Sequence, residues 1–178
     1  MKNQKNVLAT MVFLLSFATM GISQNLSKAE QIGYSTGNSL ELDVITAAPK
    51  EVVDKLYKTF ALGNIPAALA TMDANVIWNE AEGNPLADGN PYVGPDAVLN
   101  GVFARLPLDF DNFKLTDIVL YEMMNNMVLA TLRYNATSKH NGKLLDVQAA
   151  HLWTVKDGKI SHFQQYADTY KLQSALIK

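Results

Sequence analysis

Two alternating strand patterns joined by Asp157-Gly158 constrain the fold of this chain more than any other feature. The residues of the first pattern that recur at period two, and so share one face of a strand, are Leu145, Val147, Ala149, His151, Trp153 and Val155. Asp-Gly between two such patterns is a strong signal for a hairpin with a two-residue turn. We therefore predict a β-hairpin over residues 144–169.

The register of this hairpin decides which polar side chains meet. A two-residue turn pairs Val155 with Ile160, and it places on one face the polar residues His151, Gln164, Tyr166 and Asp168. A few polar groups on an apolar face are typical of a ligand pocket. The alternative is a three-residue loop with a bulge at Gly158, which slips the second strand by one residue and turns Asp168 to the opposite face.

The rest of the C-terminal half has the same pattern. Strands are predicted at residues 115–123, 127–137, 144–155 and 160–169, joined by turn sequences that contain Asn, Asp and Gly. This order predicts an antiparallel meander. The apolar phase changes within the first of these strands, which predicts a bulge near Asp117 and a bent sheet.

The N-terminal half has helical spacing instead. A helix that starts at Pro49 and ends at Gly63 has a buried stripe of Val53, Leu56, Tyr57 and Phe60. Asn64 caps a second helix over residues 65–72, a short strand follows at 76–80, and Pro107 ends a third helix that begins at Asp96. A closing helix is predicted at 170–177. The chain is thus predicted to be an α+β fold, with three N-terminal helices on the concave face of a strongly bent antiparallel sheet.

Composition limits the cellular location and the binding partners that we expect for this domain. Residues 1–23 have lysines, a short apolar run and small residues, which predicts a secretory signal peptide; an uncleaved anchoring segment is the alternative. Residues 24–48 are polar and are predicted to be a linker, and residues 49–178 form the domain. The chain has no cysteine, which excludes a lipoprotein anchor, and its net charge is −2 without a basic stripe, which argues against nucleic acid as a partner. We expect a secreted or periplasmic protein with no membrane attachment after signal cleavage.

The order of these segments resembles a known family. The sequence GNPLADGNPYVGPDAV, the His-x-Trp strand, the Asp-Gly-Lys-Ile turn and the Gln-Tyr-x-Asp strand are similar to SnoaL-like polyketide cyclases and their steroid isomerase relatives, within the nuclear transport factor 2-like superfamily. The resemblance implies a cone-shaped fold with a deep apolar pocket for a small apolar ligand or substrate, frequent homodimerisation through the sheet, and proton-transfer chemistry without a metal or an organic cofactor.

The resemblance also implies site residues. In the cyclases the acid/base is an aspartate near the end of the last strand, helped by a histidine one strand earlier, which corresponds to Asp168 and His151. In the steroid isomerases the base is a carboxylate on the short strand after the second helix, which corresponds to Glu80. The isomerase oxyanion tyrosine corresponds to Leu56, one residue away from Tyr57, so that oxyanion hole is not reproduced.

Each candidate also has a structural interpretation. Asp168 is either a pocket carboxylate or the cap of the closing helix, His151 is either a functional group or a core histidine, and Glu80 is a buried acid that needs a partner or a function. The histidines lack the short spacing of a metal motif. The predicted pocket wall consists of Trp78, Tyr57, Phe60, Trp153, Gln164 and Tyr166. Two hypotheses follow: an isomerase or cyclase that uses carboxylate proton transfer on an apolar carbonyl compound, and a non-catalytic binding module for a small apolar ligand.

Overall fold

The computed structural model describes residues 47–176 of the 178-residue chain. The predicted signal peptide, and all but the last two residues of the predicted linker, lie outside the described residues. Both therefore stay predictions. Within the described part of the chain, none of the helices has the length and hydrophobicity needed to cross a bilayer.

The fold begins with a helical hairpin. Helix α1 (Pro49–Ala61) starts at a proline, as predicted, and buries Val52, Val53, Leu56 and Tyr57 against the sheet. Helix α2 (Ile65–Leu69) is capped by Asn64, whose side chain accepts a hydrogen bond from the Ala67 amide at 3.2 Å. The second helix is shorter than predicted, because residues from Met72 onward belong to strand β1 (Met72–Asn79).

The segment between β1 and the meander contains short elements. A 3₁₀ helix (Pro85–Gly89) and strand β2 (Tyr92–Val93) lead into α3 (Pro95–Val98), which continues as a π-helical turn (Leu99–Phe103). The prediction that Pro107 stops the third helix is wrong. Pro107 instead lies in the first turn of a separate helix, α4 (Leu106–Asp109), where its missing N–H costs no hydrogen bond.

A six-stranded sheet forms the other layer. Strands β3 (Phe110–Met123), β4 (Met127–Ser138), β5 (Leu144–Lys156) and β6 (Lys159–Ala167) make the predicted antiparallel meander. The sheet order is β2-β1-β6-β5-β4-β3, and β1 pairs with β6 in parallel, so the sheet is not purely antiparallel. Helix α5 (Thr169–Leu176) follows β6 directly.

Two of the register shifts in the sheet bear on the predicted strands. One lies between Thr116 and Val119 of β3, with Asp117 at φ 53°, which confirms the bulge predicted there. The other lies in β6. The Asp157-Gly158 turn has two residues, both with positive φ, and Val155 pairs with Ile160 as predicted. Thr154, however, pairs with His162 rather than Ser161, so Ser161 is an extra residue in the ladder.

This second bulge corrects the predicted register of β6. Beyond Ser161 every pair is shifted by one residue, and His151 pairs with Gln165 rather than Gln164. Phe163 and Gln165 therefore face the core, while Tyr166 is 55% exposed on the outer face. The core lies between α1 and the concave face of the sheet, where even-numbered residues of β4 and odd-numbered residues of β5 point inward.

Candidate functional site

A largely apolar cavity of about 70 Å³ lies between α1, the meander and α5. Its walls carry aromatic and aliphatic side chains from every layer of the fold, including Phe60, Phe103, Phe113, Leu172 and Leu176. Six polar or ionisable side chains also reach it: Tyr57, Glu80, Asn84, Tyr134, His151 and Gln165. An apolar cavity with a few convergent polar groups has the character of a small-molecule site.

Glu80 is held at the end of β1 by both its backbone and its side chain. The Asn90 side chain accepts a hydrogen bond from the Glu80 amide at 3.0 Å and donates one to the Glu80 carbonyl at 2.8 Å. The Trp78 indole donates to Glu80 Oε1 at 2.7 Å, and Asn84 Nδ2 donates to Oε2 at 2.8 Å. The carboxyl group is thus fixed in the cavity wall with only 2% of the residue exposed.

Burial is also the main influence on the acidity of Glu80. It raises the pKa of this carboxyl to about 7, and the hydrogen bond from Trp78 partly offsets the rise because it stabilises the charged form. Such a carboxyl group is present in both protonation states near neutral pH. It is therefore suited to accept and return protons.

The predicted GNPLADGNPYVGP loop supplies part of this wall. Tyr92 anchors the loop, since its hydroxyl donates to the Leu86 carbonyl at 2.6 Å and accepts from the Gly89 amide at 3.2 Å. A Cβ on Gly101 would lie 2.0 Å from the Tyr92 ring, so the chain needs a glycine at that position. The loop thereby places Asn84 and Leu86 in the cavity wall.

Gln165 connects Glu80 to the far side of the cavity. Its Oε1 accepts hydrogen bonds from Asn84 Nδ2 at 2.8 Å and from the Ala81 amide at 3.2 Å. Its Nε2 donates to Tyr134 Oη at 3.0 Å. Because the Ala81 amide can only donate, it fixes which end of the Gln165 side chain faces Tyr134.

His151 lies between two tyrosines. Tyr57 Oη is 2.8 Å from His151 Nδ1, and Tyr134 Oη forms a short hydrogen bond with Nε2. The Trp153 indole donates to Tyr57 Oη at 3.0 Å. Burial lowers the pKa of His151 to about 3 and raises the pKa of both tyrosines well above the usual value. The imidazole is therefore neutral near pH 7.

These bonds form one continuous network that runs through Trp78, Glu80, Asn84, Gln165, Tyr134, His151, Tyr57 and Trp153. Its two ends meet, because the indole rings of Trp78 and Trp153 are in edge-to-face contact with centroids 5.6 Å apart. Phe163 packs against both indoles. The cavity therefore has a polar belt supported by aromatic packing.

The structure brings together most of the residues predicted from the sequence. Those that line the cavity are Glu80, His151, Trp78, Tyr57, Phe60 and Trp153. Tyr57, predicted for the pocket wall, faces His151. Gln164 and Tyr166, by contrast, do not line the cavity: the Ser161 bulge puts Gln165 in the position predicted for Gln164 and turns Tyr166 outward.

Asp168 also lies away from the cavity, and the helix-cap interpretation is the correct one. Its carboxylate accepts a hydrogen bond from the Lys171 amide at 3.2 Å and lies 3.9 Å from Lys171 Nζ. Its carbonyl accepts from the Leu172 amide at 3.3 Å, the first bond of α5. The predicted pocket position of Asp168 is therefore corrected.

Three polar residues that line the cavity are not among those predicted from the sequence. Tyr134 lies among the inward residues of β4, where a hydroxyl needs a partner, so strict alternation could have indicated it. Gln165 faces inward only because of the Ser161 bulge, which has no local sequence signal. Asn84 lies in the predicted loop, and only its contacts with Glu80 and Gln165 reveal its position.

Comparison with known proteins identifies the fold and the family. A family model for the SnoaL-like domain matches residues 53–163, more than half of the chain. The chain belongs to the SnoaL-like domain family. No match was found among curated protein sequences.

Solved structures agree with this SnoaL-like assignment. An NTF2-like protein from Burkholderia thailandensis is 28% identical, with a TM-score of 0.69 over 75% of this chain and 100% of that chain. A candidate polyketide cyclase from Pseudomonas putida is 18% identical, with a TM-score of 0.62 over 74% and 99% of the two chains. TerC co-crystallised with polyporic acid is 20% identical, with a TM-score of 0.64 over 73% and 98%. At these identities the last two comparisons establish a shared fold.

The lining of this SnoaL-like cavity includes one carboxyl group, Glu80, and two tyrosyl hydroxyls, Tyr57 and Tyr134. Among residues 47–176, no cluster of three His, Asp or Glu side chains is arranged to hold a metal ion. Glu80 can accept or donate a proton, and either Tyr57 or Tyr134 can donate a hydrogen bond to an oxygen atom. This combination can support proton abstraction next to a carbonyl group.

Proposed function

We propose that this SnoaL-like domain is an exported, cofactor-independent enzyme of the isomerase or cyclase type. Its substrate would be a small apolar compound with a carbonyl group, and its reaction would begin with proton transfer to Glu80. The observation that carries the proposal is the Glu80 carboxyl group, which lines an apolar cavity, is 2% exposed and has a pKa raised to about 7 by burial. The predicted signal peptide supports export.

In the proposed reaction, ionised Glu80 removes a proton from the carbon next to the substrate carbonyl. The C–H electron pair moves into the enolate, and the oxygen that gains negative charge accepts a hydrogen bond from a tyrosyl hydroxyl. Where the enolate is conjugated with a C=C bond, protonated Glu80 returns the proton to the far carbon of that system, the double bond shifts, and an isomer results. In the cyclase variant, the enolate carbon attacks a second carbonyl of the same molecule, the π electron pair of that carbonyl moves to its oxygen, and protonated Glu80 gives its proton to this alkoxide.

The surroundings of Glu80 fit this role. Trp78 and Asn84 hold one oxygen each, so the carboxyl group is oriented before a substrate binds. The cavity lining is largely apolar, and hydrogen bonds to an enolate oxygen are stronger in such surroundings of low dielectric constant. Asp168 takes no part in this mechanism, because it caps α5 outside the cavity.

Exchange of α-hydrogens tests the proposal directly. Cyclohexanone incubated with the protein in D₂O should lose its α-proton signal in the ¹H NMR spectrum faster than in buffer. Replacement of Glu80 by Gln should slow this exchange by about 100-fold or more, as expected for loss of a general base. The matched control is Glu82→Gln, two residues away and exposed, which should retain the exchange rate. Equal rates for wild type and Glu80→Gln would contradict the proposal.

A non-catalytic binding module for a small apolar ligand is the second candidate. Both Glu80 oxygens already accept hydrogen bonds, and within the described part of the chain every buried side-chain nitrogen and oxygen has a partner. Such a satisfied network is also suited to passive binding. Thermal stabilisation by cyclohexanone that is equal in wild type and Glu80→Gln, without α-hydrogen exchange in either, would favour this candidate.

We also propose that the domain forms a homodimer through the outer face of the sheet. Tyr121, Leu129 and Leu152 pair in register across β3, β4 and β5, and they form an apolar row on that face. Val119, Tyr121 and Met123 are each about half exposed. Contiguous exposed apolar residues of this kind favour a protein contact, and a second copy would cover the row.

A further inference from the structure

The hydroxyl groups of two tyrosines and the imidazole of His151 together carry more hydrogens than the hydrogen bonds between them need. Tyr57 Oη already accepts the Trp153 indole hydrogen, and Tyr134 Oη already accepts a hydrogen from Gln165 Nε2. Both directions are certain, because an indole N–H only donates and because the Ala81 amide fixes the orientation of Gln165. The remaining contacts of the two hydroxyls in the network are those with the ring nitrogens of His151.

Two hydrogen bonds therefore join three groups, and each bond needs one hydrogen. A neutral imidazole contributes one N–H, and each tyrosine contributes one O–H, so three hydrogens are available for two bonds. Although every buried polar side-chain atom of the described residues has a partner, one hydrogen remains without an acceptor in the network. Since both tyrosines line the cavity, that hydrogen can point to a ligand.

The tautomer of His151 determines which hydrogen remains. If Nε2 carries the hydrogen, it donates to Tyr134, Tyr57 donates to Nδ1, and the Tyr134 hydroxyl hydrogen is free. If Nδ1 carries the hydrogen, it donates to Tyr57, Tyr134 donates to Nε2, and the Tyr57 hydroxyl hydrogen is free. The two tyrosyl oxygens lie on opposite ring nitrogens, so the free donor changes sides with the tautomer.

We propose that His151 is a tautomeric switch that presents the hydroxyl hydrogen of Tyr57 or of Tyr134, one at a time, to an acceptor oxygen of the bound ligand. His151 is a positioning residue in this scheme, and the tyrosines make the contact. The ligand class follows from the surplus of donors: the cavity favours an oxygen that accepts without donating, such as a ketone, an enolate or a phenolate. The inference rests on the proposed function only in its choice of a carbonyl ligand.

The tautomer of His151 is the first test. We would label the histidines with ¹⁵N and identify the protonated ring nitrogen of His151 by NMR with cyclohexanone bound. In Tyr57→Phe only Tyr134 can donate to the ketone, so the hydrogen should be on Nε2. In Tyr134→Phe only Tyr57 can donate, so the hydrogen should be on Nδ1. The same tautomer in both variants would overturn the switch.

Ligand affinity is the second test. Methylenecyclohexane has the shape of cyclohexanone without the acceptor oxygen. Each single tyrosine variant should retain most of the preference for cyclohexanone, because the other tyrosine takes over. In the double variant, the ratio of the affinities for cyclohexanone and methylenecyclohexane should fall by about fivefold to tenfold, which corresponds to the loss of one hydrogen bond. Complete loss in one single variant and no loss in the other would indicate one fixed donor and overturn the proposal.

These outcomes separate the switch from the proposed catalysis. Neither the tautomer nor the affinity ratio requires turnover, so both can be measured in Glu80→Gln. An inactive protein whose tautomer still inverts between the two tyrosine variants would refute proton transfer and retain the switch. If the double variant does not fold, the tautomers of the two single variants still decide the question.

Discussion

Trp78 and Glu80 lie two residues apart at the end of β1, and the Trp78 indole nitrogen is 2.7 Å from Glu80 Oε1. Period-two spacing puts both side chains on the cavity face, so one short stretch of chain supplies the carboxyl group and a donor for it. The donor favours the charged form of the carboxyl group, and burial favours the neutral form. The balance of these two influences sets the acidity of the candidate base.

Replacement of Trp78 by Phe should shift that balance. Loss of the indole donor should raise the pKa of Glu80 from about 7 by about 1 unit, since a hydrogen bond to a charged group contributes about 1.5 kcal/mol or more. The ¹³C shift of the Glu80 carboxyl carbon as a function of pH measures this directly. The control is Trp153→Phe, which removes a donor to Tyr57 instead. An unchanged midpoint in Trp78→Phe would contradict this prediction.

The pH dependence of stability should reveal Glu80 and His151 as opposing groups. The folded-state pKa of Glu80 is raised from 4.5 to about 7, so between these values the folded state binds more protons and stability falls as pH rises. The folded-state pKa of His151 is lowered from 6.5 to about 3, so between these values the unfolded state binds more protons and stability rises with pH. Between pH 4.5 and 6.5 the two slopes should cancel.

Single variants should separate these two slopes. Glu80→Gln leaves the His151 contribution, so the free energy of unfolding should rise by about 1.4 kcal/mol per pH unit between pH 5 and 6 relative to wild type. His151→Gln leaves the Glu80 contribution and should give a fall of about the same size. Urea unfolding at the two pH values measures both slopes. The double variant should have the same pH slope as the wild type. Parallel stability curves for all four proteins would exclude this coupling.

Deletion of Ser161 should be tolerated. Ser161 is the extra residue of the β6 bulge, so its removal lets His162 follow Ile160 and keeps Thr154 paired with His162. Gln165 then stays in the cavity. Deletion of Gln164, the matched control, would move Gln165 outward and Tyr166 inward and should prevent cooperative unfolding. Circular dichroism during thermal unfolding shows whether each deletion variant unfolds cooperatively. A Ser161 deletion that does not fold would show that the bulge itself is required.

The proposed dimer should depend on the apolar row of the outer sheet face. Leu129→Lys puts a charge at the middle of the row, between Tyr121 and Leu152, and should raise the dissociation constant of the dimer about tenfold or more. Analytical ultracentrifugation measures this constant. Gln148→Lys, an exposed position on the same face that pairs with Arg133, should have little effect. A monomeric wild-type protein would contradict the proposed dimer.

Much of the fold could be predicted because it depends on local rules. The Asp157-Gly158 turn adopts positive φ at both residues, and the phase change near Asp117 marks a true bulge. Helix α1 begins at Pro49, as its sequence indicates. Turn chemistry and hydrophobic periodicity act over a few residues, so they can be read without knowledge of the rest of the chain.

The candidate site could be predicted only in part. Glu80 and His151 were identifiable because a carboxyl group and an imidazole among apolar residues need partners or functions. Asp168 was misplaced because one bulge residue, Ser161, shifts the register of β6. No turn or periodicity marks that bulge, which lies where β6 pairs with β5 on one side and β1 on the other.

The amino-acid sequence by itself determined the strands, the hairpin turns, the first helix and the presence of ionisable groups on inward faces. The tertiary structure alone decided how those groups connect. Four separate parts of the chain supply Tyr57, Asn84, Tyr134 and Gln165. These residues meet around Glu80 and His151 because the sheet is bent and the β1–β2 loop packs against it. Hydrogen bonds need alignment within a few tenths of an ångström, and only long-range packing positions side chains that closely.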